Sequence, residues 1–409
     1  MGFSKGGFAG TYWAPEGVIG LLAGASPPRE GPRADLAALR TGIGDILDVA
    51  RQATVSVDTI AQLTHLCPCH AADSTDGQWL RRVMFEDARP DVEGDYNRQI
   101  SALMLLESLD GGLYIDPERR FRLTRGFGAA VDGDGYEARA RRAWQAAILR
   151  NYSVSAWRHL WRWLNLELAG DAMTARELGD RLADAVGTGH IQALVDDLPP
   201  RTGAAGLLPV EEEIRESGDE VPIAALRQLA LGALRLKDLD DDTRALYVGT
   251  ERDDLGPLWV EHQLAEHAGT ALAVFARDLV QTLLRRAWRV ANSKIRLSSD
   301  LRPYVPTRLR DRDGILSVIE AELDSEVSLR GWTLSQVLSA LGAIDRPDRQ
   351  YTVSPNGLML KAKITATSRG SHDRDHVGRR GPNDAQPVLA APRGDRGRAG
   401  SNFDLHRES

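Results

Sequence analysis

A chain of 409 residues with 42% hydrophobic and 27% charged residues has the balance of a globular protein rather than a disordered one. Its net charge of −7 excludes a general electrostatic pull toward nucleic acid or acidic lipid, so any such affinity has to be local. No apolar run approaches the roughly 20 residues that cross a bilayer, and two cysteines in such a length point to a reducing, cytoplasmic compartment.

The length suits two or three domains. Residues 1–33 are rich in Gly and Pro. Their single Lys and Gly-broken apolar stretch make a poor signal peptide. A first helix is expected over Ala34–Gln52, with Leu36, Leu39, Ile43, Ile46 and Leu47 on one face. Ser56 caps a second, which ends at Leu66-Cys67-Pro68-Cys69-His70. Thr75 to Gln78 has capping-box spacing and opens a helix with Trp79, Leu80 and Val83. Another helix covers Tyr96–Leu109. The segment 110–135 reads as loop, with a short strand at Leu113-Tyr114-Ile115.

The stretch Arg141–Ala169 holds Trp144, Trp157, Trp161 and Trp163, four of the chain's nine tryptophans. Its apolar residues recur every three or four positions and no Pro or Gly interrupts it. It is expected to be the central buried helix, bent near Asn151-Tyr152-Ser153, with Trp144, Trp157 and Trp161 as core anchors. Thr174 and Glu177 form a second capping box, opening a helix through Leu178, Leu182 and Val186. Punctuation by Gly and Pro-Pro over 187–221, with the acidic run Glu211-Glu212-Glu213, reads as a boundary. Helices are expected near 222–236 and, as one long element, over 257–295.

From 312 to 362 the predicted order is a helix from Ile315 to Leu323, a turn at Gly331-Trp332, a helix Leu334–Ile344, then a strand and turn over 351–360. That order resembles a winged-helix unit. Residues 364–409 lose apolar periodicity and carry eight Arg, no Lys and six acidic residues, the composition of a disordered tail. The expected fold is mainly α, a multi-helical bundle with a winged-helix-like C-terminal unit and a disordered tail. Its divisions are 1–210, 211–311, 312–363 and 364–409.

The run 285–312 carries the main functional signal. Nine basic residues, Arg285, Arg286, Arg289, Lys294, Arg296, Arg302, Arg308, Arg310 and Arg312, face only Asp300 and Asp311, a local net charge of +7. Arg285 and Arg289 lie one helical turn apart and repel unless a polyanion or water screens them. Phosphates match the guanidinium fork, so nucleic acid is the expected partner of this stretch. The competing reading is a solvated face paired within the molecule.

Other clusters read as structural. His65, Cys67, Cys69 and His70 have the wrong spacing for a zinc site, and Cys67-Pro68-Cys69 is not a CxxC redox motif. His262 and His267 are five apart and diverge on a helix, unlike the histidines of HExxH. His159 reads as structural, and Asp240-Asp241-Asp242 and Asp253-Asp254 as exposed turns. No phosphate loop or nucleophile elbow is present. No metal or cofactor is expected.

Three features together resemble a group of uncharacterised bacterial helical proteins: the helix end Leu66-Cys67-Pro68-Cys69, the tryptophan helix 141–169, and Leu255-Gly256-Pro257-Leu258-Trp259 running into Glu261 and Glu266-His267-Ala268. The resemblance spans about residues 30–300 and implies a helical fold without an activity. The function expected is that of a non-enzymatic, nucleic-acid-contacting component of a larger system. The alternatives are a helical adaptor that binds another protein, and an enzyme whose site is assembled from scattered residues.

Overall fold

The computed structural model describes residues 13–23, 29–63, 72–89, 92–133, 135–249, 255–297, 303–304, 307–319 and 328–375. They are mainly helical, with a few very short strands. The Cys67–His70 cluster, Asp253-Asp254, Arg302 and residues 376–409 lie outside them.

Helix α1 (Trp13–Ile19) leads into the antiparallel pair β1 (Leu22–Ala23) and β2 (Arg29–Glu30). Asp35 caps α2 (Leu36–Ala50) and Ser56 caps α3 (Val57–Gln62). The cap of α4 (Thr75–Arg81) is Ser74, one residue before the expected Thr75, and α4 runs into a π-turn at Arg82–Glu86. Helix α5 (Glu93–Leu109) follows, and then α6 (Pro117–Arg125), inside the segment that reads as loop. Its start signals are local. Asp116 accepts from the Arg119 amide, and Pro117 fills the first turn, where its missing N–H costs nothing.

Helix α7 (Tyr136–Gly170) is 35 residues long and unbroken through 151–153, where a bend is expected. Strand β3 (Met173–Thr174) follows, then α8 (Ala175–Val186) behind the anticipated Thr174–Glu177 capping box. The region that reads as a boundary folds into α9 (Ile191–Asp196), the hairpin β4 (Thr202–Gly203) and β5 (Gly206–Leu207), and α10 (Val210–Glu216). Helices α11 (Val221–Leu234) and α12 (Asp241–Val248) come next. The expected long helix 257–295 is two helices, α13 (Pro257–Glu266) and α14 (Leu272–Asn292). Between them the Thr270 amide donates to the His267 carbonyl at 2.8 Å, and Ala271 is extended, so a turn around Gly269 breaks the rod.

The C-terminal part departs most from expectation. After β6 (Arg296–Leu297), β7 (Pro303–Tyr304) and β8 (Leu309–Arg312), the residues expected to begin a helix at Ile315 form β9 (Ile315–Val318). Apolar Ile315, Leu316 and Val318 serve a hairpin here, because Asp313-Gly314 supplies two left-handed residues (φ 55° and 82°) for the turn. Helix α15 (Gly331–Ala340) overlaps the expected Leu334–Ile344 but begins on the residues expected to form a turn, and Ile344 lies in a strand instead. Strand β10 (Ile344–Asp345) pairs with β11 (Thr352–Val353), and Tyr114 forms an isolated antiparallel bridge with Tyr351. The expected turn at Pro355 instead opens α16 (Pro355–Asp375), with Ser354 Oγ accepting from the Gly357 amide. The contiguous helix–turn–helix–wing outline over 312–362 is therefore not the arrangement found. The break expected at Lys363 is crossed by a helix in which Ile364 is 1% exposed.

Two large apolar clusters hold the molecule, and each draws from both sides of the divisions expected at 210 and 312. One joins Phe85, the buried face of α5, Phe121, Ile148, Tyr152 and Tyr247 to Leu338, Ile344, Tyr351 and Ile364. The other joins Leu160, Leu164 and Leu168 to Leu178, Leu182, Leu229, Phe275, Leu279, Leu283 and Leu316. Helix α7 enters both. Its tryptophans are only half-buried at the margins, while Leu, Ile, Ala and Tyr fill the interior, which corrects their expected role as core anchors.

Asp95 ties down the N-terminal part. Its buried carboxylate accepts from Arg33 Nη1 at 3.1 Å, Arg89 Nε at 2.7 Å and Arg98 Nη2 at 2.5 Å. Burial alone would raise its pKa, but the bonds from Arg89 and Arg98 outweigh it and hold the group at about 2. The folded pKa lies below the unfolded ~3.9, so this stabilisation is present above ~pH 4–5 and fades as pH falls toward 2. Asp95→Asn should cost about 3–5 kcal/mol near neutral pH by leaving the guanidinium cluster uncompensated. In denaturant titrations its difference from the parent should shrink below ~pH 3; a constant difference would contradict this account. Ile364→Ala should cost about 2–5 kcal/mol in the same assay, whereas a change near zero would place the fold's edge at Lys363.

Candidate functional site

The second half of α7 and the second half of α14 form two walls of a cavity of about 600 Å³. The third side is the segment entering β8. It is held there because β9 pairs on one edge with β8 and on the other with β3, immediately after α7, with Met173 opposite Leu316. This three-stranded sheet brings Thr307, Arg308 and Leu309 over the helices.

Five cations line this cavity: Arg150 and Arg158 from α7, Arg286 from α14, Lys294 just past it, and Arg308. Its apolar lining includes Trp157, Trp161, Leu283, Ala287 and Val290. A second cavity of about 340 Å³ shares Leu255 and Arg286 with the first and adds Trp259, Arg285 and Arg289. The two adjoin as one groove, with seven basic side chains, three tryptophans and, among the described lining residues, no carboxylate.

The local geometry is well determined by hydrogen bonds. Trp157 Nε1 donates to the Leu255 carbonyl at 2.9 Å, and its ring lies 6.0 Å from that of Trp259, tilted by 59°. Leu255 holds a left-handed φ of 73°, a conformation that costs a leucine about 1–2 kcal/mol. Such strain persists where surroundings impose it, here where the chain enters α13 between the two cavities. Arg150 is anchored on the end of α12, donating to the Leu246 and Tyr247 carbonyls at 2.7–3.1 Å. Arg285 donates to Thr282 Oγ1 at 3.1 Å. Arg158, Arg286, Arg289 and Arg308 also have polar or charged neighbours.

The basic stretch read from sequence is thus partly gathered and partly dispersed. Arg285, Arg286, Arg289, Lys294 and Arg308 come together in the groove. Arg310 and Arg312 stand exposed on β8 outside it. Arg296 lies on β6, paired opposite Tyr304, with its side chain outside the described set, as is all of Arg302. Sequence reasoning missed Arg150 and Arg158. Their only signal was their place on the tryptophan helix, about two turns before Trp157 or next to it.

The remaining described candidates do not line the groove. His262 sits 3.5 Å from Glu266 on the surface, and His267 packs against the Phe275 ring at 5.5 Å. Asp240 caps α12 by accepting from the Thr243 amide at 2.9 Å. Among the described residues no group of three His, Cys, Asp or Glu side chains is placed to hold a metal. His159 lines a separate cavity of about 280 Å³ beside Gln228. No family model, curated protein or solved structure matches the chain.

Proposed function

We propose that this chain is a binding protein that contacts single-stranded nucleic acid along the groove between α7 and α14. The observation that carries this reading is the interleaving of Arg150, Arg158, Arg285, Arg286, Arg289, Lys294 and Arg308 with Trp157, Trp161 and Trp259 on one surface. Backbone phosphates are met by cations, and exposed bases stack on aromatic rings; a groove offering both suits a strand with unpaired bases. A duplex hides its bases and would use only the charge. The chain's net −7 then limits binding to this one region.

A second reading concerns protein contact. Helix α5, the bridging residue Tyr114, helix α6, helix α15 and the hairpin β10–β11 follow the element order of a winged helix, with residues 126–330 inserted between the second and third helices. Their side chains share one apolar cluster. The third helix carries Trp332, 43% exposed, and few base-reading groups, which favours a protein partner for that surface. Hydrogen exchange should then open 93–125 and 328–366 as one cooperative unit; separate unfolding of the two segments would remove this reading.

The groove is tested by fluorescence anisotropy with mixed-sequence single strands and the matching duplex. Single strands should bind more tightly, and raising salt from about 50 to 200 mM should weaken binding by at least ~10-fold. Arg285→Glu, Arg286→Glu and Arg289→Glu together should weaken it by ~100-fold or more; binding unchanged in that variant would end the proposal.

A further inference from the structure

We propose that the larger cavity of the groove is a pocket for one unstacked nucleobase, held against Trp157 and Trp161 with its phosphate on the cationic rim. This rests on the single-strand reading above and adds the feature of the strand that is recognised.

The first argument is shape. At about 600 Å³ the cavity falls within the range of small-molecule sites and has room for a base with its sugar. Trp157 and Trp161 are four residues apart, so they lie one above the other on the same face of α7. Leu283, Ala287 and Val290 line the cavity from α14, at spacings of four and three that also place them on one face. An aromatic wall opposite an aliphatic one suits a flat, weakly polar ring.

The second argument is hydrogen bonding. Trp157 uses its indole N–H on the Leu255 carbonyl, but Trp161 Nε1 has no acceptor among the described residues. One turn further along, Asn165 is 5% exposed and lines the same cavity. Its Nδ2 donates to the Trp161 carbonyl at 2.7 Å, which leaves Oδ1 with no protein donor among the described residues. An available donor and an available acceptor thus sit one helical turn apart. Every nucleobase carries neighbouring donors and acceptors along an edge, so the pair fits a base without selecting strongly among the four.

The third argument is charge placement. Lys294 forms no ion pair among the described residues, and Arg286 and Arg308 line the same opening. A phosphate on either side of the extruded base would lie among them. A purely apolar ligand would leave Lys294 unused, and a bare phosphate would leave the tryptophans unused.

The test compares a labelled oligothymidylate with an abasic strand of the same length, which keeps the phosphates and sugars and lacks the bases. The base-bearing strand should bind at least ~10-fold more tightly at equal salt. Trp161→Ala should bring its affinity down toward the abasic value. Trp161→Phe, which keeps an aromatic face, should retain most of the difference. If the Ala variant fails to fold, photocrosslinking of a 5-bromouracil strand to the unaltered protein replaces it, with the adduct expected on Trp157 or Trp161. Equal binding of both strands, or an adduct confined to other residues, overturns the pocket while leaving the groove's phosphate contacts standing. If neither strand binds, both are overturned.

Discussion

One rod has to serve two cores. Helix α7 places Ala146, Ile148, Leu149 and Tyr152 in one apolar cluster, and Ala156, Leu160, Leu164 and Leu168 in the other. At ~1.5 Å per residue, 35 residues give about 52 Å of continuous helix. Apolar burial along that length does not fall on a single stripe, because neighbours pack on different sides at its two ends. Every side chain on α7 is thereby fixed in register with every other. Arg150, Trp157, Arg158, Trp161 and Asn165 owe their common presentation to the groove to that rigidity.

Buried charge supplies the specificity that apolar packing alone lacks. Arg235 is fully buried and holds Glu211 through two bonds of 2.8 Å, while its remaining donors reach the Arg201 and Leu208 carbonyls. Next in sequence, Glu212 accepts from Tyr152 Oη at 2.5 Å and Arg122 Nε at 3.3 Å. Burial, together with that bond to Glu212, pushes the Tyr152 hydroxyl well above the usual phenol range and keeps it a neutral donor. Arg122 in turn pairs with Glu118, whose carboxylate accepts from the Leu329 and Trp332 amides and the Ser328 hydroxyl at the start of α15. This chain of partners joins α7, α10, α6 and α15 across more than 200 residues of sequence. Ion pairs of this kind add little net stability over apolar replacements, but a misplaced partner is costly, so they select one arrangement.

The groove shows how a chain of negative net charge can present a cationic surface. Its basic groups come from three places: α7, α14 with the turn after it, and the strand entering β8. The acids that set the total are spent elsewhere, on caps such as Asp35, Asp116 and Asp240 and on buried pairs such as Glu211 and Glu212. Composition averages over both uses and cannot separate them.

Local signals in the sequence were reliable where the physics is local. The mainly helical class, the capping box at Thr174, the long tryptophan helix and the cationic character of 285–312 all follow from residues within a turn or two of each other. Failures fell where a distant partner decides. Glu211 and Glu212 read as part of a boundary because their arginines are 24 and 90 residues away. Ile315–Val318 read as a helix because the edge that it joins, Met173–Thr174, is remote. Asp116-Pro117-Glu118 carries a local helix-start signal inside a Gly-rich stretch that otherwise reads as loop. The tryptophan helix and the basic run were each visible as separate stretches. That they face each other across one cavity was fixed only by the β3–β9 pairing and by the packing of α14 against α8, because strand pairing and helix packing act between segments that no local pattern connects.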